Sequence, residues 1–226
     1  ALTSRRVKFF STLKIQTGFR SNTLWLTPAI ISLLKNNNGL SIDIQTNLRE
    51  CQKNLAMGHV DLVISSFDLF PDRSLFSTEK IGTYQNVFLA RFAHPLTNKS
   101  PLNLNDLKNF PLIGDPLIIK NHTTFLKDPG RMGYYEEKSN IFYPALRLRS
   151  FNDIIEVLKT LDAISFLPRN AIIDSLRTHL ISILNPYGFQ DHNNDIFALW
   201  RKTSKTNVTL KAIVNELKRA ANLATN

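Results

Sequence analysis

Few side chains in this sequence are of types that do covalent chemistry, and their spacing argues against catalysis. The five histidines, His59, His94, His122, His179 and His192, never recur at i, i+3 or i+4, so no two imidazoles share a helix face that would hold one metal. No metal is expected. The sequence has no G-x-S-x-G elbow, no P-loop and no dinucleotide-binding glycine run. Cys51 is the single cysteine, which excludes an intramolecular disulfide and fits a reducing compartment. It stands near the start of a helix, where a thiolate is stabilised, yet inert packing is the favoured reading. Glu136 and Glu137 have no evident acid–base partner and read as a solvated loop pair. Tyr134, Tyr135, Phe142 and Tyr143 either line a ligand cleft or pin an irregular segment to the core, the second being favoured. An enzyme is not expected, nor is a cofactor.

What remains is the chemistry of non-covalent recognition. Three segments rich in hydroxyl and amide groups follow strand-like patterns: residues 18–23, 46–48 and 65–68. In a parallel sheet, small ligands bind beyond the carboxyl ends of the strands, where helix N-termini and free amides converge. The candidates are Arg20, Ser21, Asn22 and Thr23 after the first strand, Asn47 after the second, and Ser65 and Ser66 after the third. Ser21, Asn22 and Ser65 serve equally well as caps of helices and turns. Arg20, beside a helix N-terminus, favours an anion such as a small carboxylate. The second half of the chain contributes Thr123, Thr124, Ser150, Phe151 and Asn152.

The elements that must position these residues are legible in the periodicity. Leu13, Ile15 and Thr17 alternate as a strand. Leu26, Ile30, Leu33 and Leu34 form a helical stripe with Pro28 in the first turn and a stop at Asn36-Asn37-Asn38-Gly39. Ile42 and Ile44 alternate again. Leu48, Leu55 and Met57 line a short helix closed by Gly58, and Leu62-Val63-Ile64 is a buried parallel strand. The unit is β-α-β-α-β. Residues 81–91 read as one long strand, broken by His94-Pro95, after which a second unit begins. It has a short helix at 103–107, a strand at Leu112-Ile113 and an alternating strand at 146–149. Ser150 and Asp153 cap a helix whose buried face is Ile154, Val157, Leu158 and Leu161, and a buried strand at 164–167 stops at Pro168. A strand at 196–200 returns to the first lobe, and Leu210, Ile213, Val214 and Leu217 mark a last amphipathic helix. The expected fold is α/β, with two Rossmann-like lobes joined by crossover strands. Lobe I takes residues 1–91, lobe II 92–185, and 186–226 return to lobe I. A cleft between such lobes is a usual place for a small-molecule site.

Composition narrows the partners. With 226 residues, 43% hydrophobic and 20% charged, the chain is globular rather than disordered. Its longest apolar stretch, residues 24–34, is interrupted by Thr27, Pro28 and Ser32 and falls short of the ~20 residues of a membrane span. No membrane partner is expected. The 28 basic and 18 acidic residues leave a net charge of +10, which suits an anionic partner. The basic residues form only small clusters, Arg5, Arg6 and Lys8 or Arg201, Lys202 and Lys205, so weak and salt-sensitive DNA association is expected of this chain alone. The sequence begins at Ala1 without Met or a signal-peptide core and reads as a fragment or a processed form.

Several runs together carry a family resemblance. They are Leu26-Thr27-Pro28-Ala29-Ile30, Ser41-Ile42-Asp43-Ile44, Gly58-His59-Val60-Asp61-Leu62-Val63-Ile64, His94-Pro95-Leu96, Phe110-Pro111-Leu112-Ile113, residues 150–158 and Ile164-Ser165-Phe166-Leu167-Pro168. In order and spacing they resemble the effector-binding domain of LysR-type transcriptional regulators. The resemblance implies a type 2 periplasmic-binding-protein-like fold and a cytoplasmic regulator. In it a small effector binds between the lobes and modulates DNA binding through a separate winged helix-turn-helix, for which nothing before Leu13 is long enough. It also implies a homodimer, and a tetramer in the full-length protein, with domains paired antiparallel. Here the surfaces would be the 24–35 helix and the 42–46 strand against the 146–150 strand, with Trp25 as anchor and Asp43 and Gln45 facing Arg147 and Arg149. The alternative is a periplasmic solute-binding protein of a transporter, which shares the fold. Two departures stand out: Leu161 and Ala163 replace the glycines usual before the 164–167 strand, and residues 114–143 lack clean helical periodicity, so an irregular or shortened helix is expected there.

Overall fold

The computed structural model describes residues 12–36, 40–189, 193–203 and 207–224. Asn37, Asn38 and Gly39 of the expected helix stop, His192, and Arg5, Arg6, Lys8 and Lys205 of the basic clusters lie outside them. The chain divides into two compact units, one ending at Thr83 and resuming at Asp195, the other spanning Tyr84–Asn194.

In the first unit, β1 (Thr12–Thr17) leads through Gly18 into α1 (Phe19–Ser21), a single π-helical turn (Asn22–Leu26) and α2 (Thr27–Asn36). Then come β2 (Ser41–Gln45), α3 (Cys51–Met57), β3 (Leu62–Ser65) and β4 (Phe76–Tyr84). The β-α-β-α-β expectation holds: β2 and β3 flank β1, both parallel to it. The Gly58-x-x-Asp61 run has a physical account. Gly58 ends α3 in the left-handed region at φ 79°, and a Cβ there would meet Arg201 Nη1 at 2.8 Å. That nitrogen donates to the carbonyls of Leu55 and Val60 at 2.8 and 3.3 Å, closing the helix end. The Asp61 carboxylate accepts from the Lys14 backbone N–H at 2.9 Å, and Asp61 N donates back to Lys14 O, locking β1 to the loop that feeds β3.

The second unit holds β5 (Asn86–Arg91), α4 (Leu104–Leu107), β6 (Leu112–Gly114), β7 (Leu117–Ile118), β8 (Gly133–Glu136), β9 (Ile141–Pro144), β10 (Leu146–Arg147), α5 (Phe151–Thr160), β11 (Ile164–Pro168), α6 (Ile173–Arg177) and β12 (Ile181–Leu184). Its sheet runs β10-β6-β11-β5-β12. Phe88, Leu112, Met132, Phe142, Ile164 and Phe166 join one core. The chain then returns through β13 (Asn194–Arg201) to complete the first sheet, β2-β1-β3-β13-β4, and ends in α7 (Asn207–Ala224), which packs on α2 and the π turn. Leu210, Ile213, Val214 and Leu217 are its buried face.

Several expectations need correction. The long strand at 81–91 is two strands in different sheets, β4 and β5, broken at Gln85, so the unit boundaries fall at 83/84 and 194/195 instead of 91/92 and 185/186. The 146–149 strand is shortened to Leu146–Arg147. Residues 114–143 form no regular helix; they make two 3₁₀ segments and a small antiparallel sheet, β7-β9-β8. Leu34 and Leu161, assigned to buried stripes, are 46% and 52% exposed. Leu161 caps the end of α5 in extended conformation. Leu34 lies at the margin of the stripe that Leu26, Ala29, Ile30 and Leu33 bury, about 80° round the helix from Leu26 at the ordinary α-helical 100° per residue. Trp25, inside the π turn, is 1% exposed and lies against Gly82, where a Cβ would meet its ring at 3.3 Å and Ala221 at 2.9 Å. It is a core residue with no free surface to anchor a second copy.

Candidate functional site

Because β1, β2 and β3 run parallel, their carboxyl ends share one edge of the first sheet, and residues 18–23, Asn47, Ser65 and Ser66 all collect there. Thr17 secures that edge: its buried hydroxyl donates to Ile64 O at 3.2 Å, fixing the end of β1 to the end of β3. Gly18, extended at φ −81° and ψ 155°, starts the helix with no side-chain cap, so the first amides are not covered by a capping side chain. Arg20 lies against the Phe19 ring, its guanidinium carbon 4.9 Å from the centroid. Ser21 is buried, and Thr23 is exposed. Asn22 Oδ1 is buried with no hydrogen-bond partner among the described residues; a buried polar atom in that state calls for a ligand or water.

Other candidates are committed to their own turns. Asn47 Oδ1 accepts from Gln16 Nε2 at 3.4 Å and from Arg49 N at 3.3 Å, an Asx-type turn that leaves only its amide nitrogen uncommitted. Ser65 donates to Ser66 O at 3.1 Å.

In the second unit β6, β10 and β11 are parallel, and their carboxyl ends form the corresponding edge. Ser150 is there, capping α5 by accepting from Asp153 N at 3.4 Å, with Phe151 buried and Asn152 exposed in the first turn. Thr123 and Thr124 are elsewhere, in the 3₁₀ segment Asn121–Lys127. The Thr123 hydroxyl accepts from Lys120 N at 2.8 Å, and Thr124 donates to Asn121 O at 3.2 Å, so both hydroxyls are spent on local backbone. Sequence reading missed Asn170, which follows β11 as Ser66 follows β3 and whose Oδ1 is also buried without a partner. The signal was available: 164–168 is the third parallel strand of its unit, and the residues after it lie beyond its carboxyl end. Of the expected interface residues, Asp43, Gln45 and Arg147 are exposed on β2 and β10, which are the edge strands of their sheets. Arg149 is held by Asp115 at 2.8 Å.

Two ionisable groups are shifted by burial. Desolvation pushes the Cys51 thiol up to about 11, against weaker lowering by backbone N–H groups, so it stays protonated and inert at neutral pH. It borders a shallow cavity of about 440 Å³ with Leu48, Gln52 and Leu69, beside α3. His94 is lowered, chiefly by burial, with Asp162 raising it and Arg91 lowering it. Its Nδ1 accepts from Leu96 N at 3.1 Å. Among the described residues no cluster of His, Cys, Asp and Glu can hold a metal ion, and no helix is long and apolar enough to cross a membrane.

The chain as a whole is similar to known proteins. The family described as the LysR substrate binding domain matches residues 11–222. No curated protein matches the chain. Among solved structures, the regulatory domain of MetR from N. meningitidis, described as a LysR family regulator, is 16% identical, with 94% of each chain covered and a TM-score of 0.70. A reduced form of OxyR from N. meningitidis is 16% identical over 92% of this chain and 95% of that one, at 0.64. The reduced OxyR regulatory domain from Pseudomonas aeruginosa is 14% identical over 93% and 98%, at 0.63. At these identities the likeness speaks for the two-lobe fold, and the family match over nearly the whole sequence decides membership: this chain belongs to the LysR substrate-binding domains, the effector-binding part of a LysR-type transcriptional regulator.

Proposed function

We propose that the domain senses a small anionic effector, recognised at the carboxyl edges of its parallel strands, and passes its occupancy to a DNA-binding winged helix-turn-helix in the same regulator. The observation that carries this reading is the start of α1. Amides without a side-chain cap and, in the same turn, the Arg20 cation follow the end of β1. Partial positive charge at a helix start favours an anion. Ser21, Ser65, Ser150, Phe151 and Asn152 complete the proposed contacts. The effector acts by binding one arrangement of the domain more tightly than the other, since equal affinity would shift nothing. The function is binding without catalysis, in a cytoplasmic protein. A transporter's solute-binding protein is not favoured by the family match.

The assembly proposed is an antiparallel homodimer, forming a tetramer in the full-length protein, with the exposed side of α2 and the edge of β2 (Asp43, Gln45) facing Arg147 on β10. Ile31 and Leu34 are exposed on α2 and replace Trp25 as apolar anchors of that surface. The test is Arg20→Ala: affinity for a small carboxylate falls while the melting temperature of the ligand-free domain stays nearly unchanged. If Arg20→Ala unfolds the domain instead, the residue is structural and the assignment fails.

A further inference from the structure

Arg149 lies two residues beyond β10, and Asp115 directly follows β6. These strands pair in parallel, Arg147 opposite Gly114, and Leu148 N continues the ladder to Gly114 O at 3.0 Å. The ion pair Arg149 Nε to Asp115 Oδ1, 2.8 Å, therefore sits at the carboxyl edge of the second sheet, next to Ser150 and the opening of α5. Its arginine side chain is 62% exposed. The Asp115 side chain is 24% exposed, so the pair is solvated mainly on the arginine side; solvent screening keeps the contribution of such a pair to stability modest, and the solvent-facing guanidinium is open to a second anion. Arginine presents a planar fork that matches a carboxylate or phosphate.

We infer that Arg149 is an effector-contacting residue and that Asp115 is its internal competitor: the arriving anion takes over the guanidinium, and Asp115 sets how strong an anion must be to do so. This rests on the anionic-effector reading above and moves Arg149 from the dimer surface to the ligand edge. Each unit then presents one arginine at its strand edge, Arg20 in the first and Arg149 in the second.

The test is calorimetric titration of the intact chain with succinate, benzoate and inorganic phosphate, using wild type, Arg20→Ala, Arg149→Ala and Asp115→Asn, with sedimentation of each. For the tightest of the three anions, Arg149→Ala weakens binding at least tenfold, Asp115→Asn tightens it severalfold, and neither changes the sedimenting species. Affinity lost in Arg20→Ala but kept in Arg149→Ala overturns this inference and spares the anionic reading. Weaker binding in Asp115→Asn overturns the competitor role, and a shift of Arg149→Ala to monomer returns the residue to the interface. No binding of any of the three by wild type overturns the anionic reading and this inference with it.

Discussion

The two units share one strand plan and differ in what connects the strands. In each, one strand lies between two parallel successors and an antiparallel strand crossing from the other stretch of chain pairs with the second successor, β13 returning to the first unit and β5 entering the second: β2-β1-β3-β13-β4 in one, β10-β6-β11-β5-β12 in the other. Both tie the middle strand to its second successor with a buried hydroxyl, but from opposite partners. Thr17 on β1 donates to Ile64 O at 3.2 Å, and Ser165 on β11 donates to Ile113 O at 2.7 Å. The first connection is helix with a π turn in the first unit and 3₁₀ segments with a small sheet in the second. The lesson is that the carboxyl edge of the parallel strands depends on strand direction and these ties, while the connection is free to vary. The first unit consequently offers a long helix opening at its edge after β1, and the second offers one only after β10.

The comparison can be broken unit by unit, because both tryptophans lie in the first unit and all five tyrosines in the second. The largest effect is expected from Trp25→Ala. Removing a fully buried indole costs about 3–5 kcal/mol, and the remaining Trp200 reports the earlier unfolding of the first unit while amide exchange in the second is unchanged. A dissociated dimer with undiminished stability would restore Trp25 to the interface.

Gly58→Ala comes next. An L-residue in the left-handed region costs roughly 1–2 kcal/mol, and the added Cβ also displaces Arg201 from the α3 carbonyls. Chemical denaturation followed by tryptophan emission reads the loss in the first unit; an unchanged midpoint contradicts the role given to this glycine.

The matched pair Thr17→Val and Ser165→Ala sharpens the comparison further. Each removes one buried hydrogen bond, worth about 1 kcal/mol, and each should weaken amide-exchange protection in its own unit only.

The most selective effect is with pH. His94 must stay neutral for Nδ1 to accept from Leu96, and burial lowers its pKa in the folded state. Below about 6.5, the ordinary histidine value, the unfolded chain takes up a proton that the folded one refuses. Stability therefore falls as pH drops through the window between that value and the lowered native one. Tyrosine-detected unfolding of the second unit should show this dependence and His94→Gln should remove it, whereas equal sensitivity of the first unit would assign it to other groups.

Much of this was legible in the sequence, and the failures have physical causes. Gly58, the period-2 runs at 13–17 and 42–44 and the wholly apolar run at 62–64 exposed the first unit directly. Nothing local marks the change of sheet at Gln85, because both flanking stretches carry strand-like apolar residues and only the distant partners β13 and β11 separate them. A π turn has no composition of its own, and Trp25 within it is buried, whereas Leu34 sits at the margin of the apolar stripe of α2, where a count of apolar residues does not separate buried from exposed. For the site, strand direction sufficed to locate the edges, but hydroxyl content alone could not tell Ser150 from Thr123, whose hydroxyl closes its own turn. The Arg149–Asp115 pair joins residues 34 apart in sequence, beyond the reach of any spacing rule.

The central claim is that a small anionic effector is recognised at the carboxyl edges of the parallel strands. Amide chemical-shift mapping of the domain, titrated with the tightest binder from a panel of small carboxylates, tests it most directly. The account predicts saturable shifts at residues 18–23, 65–66 and 149–152, with Thr123, Thr124 and the surroundings of Cys51 unmoved; shifts that spare these strand edges, or that centre on the cavity beside α3, would contradict it.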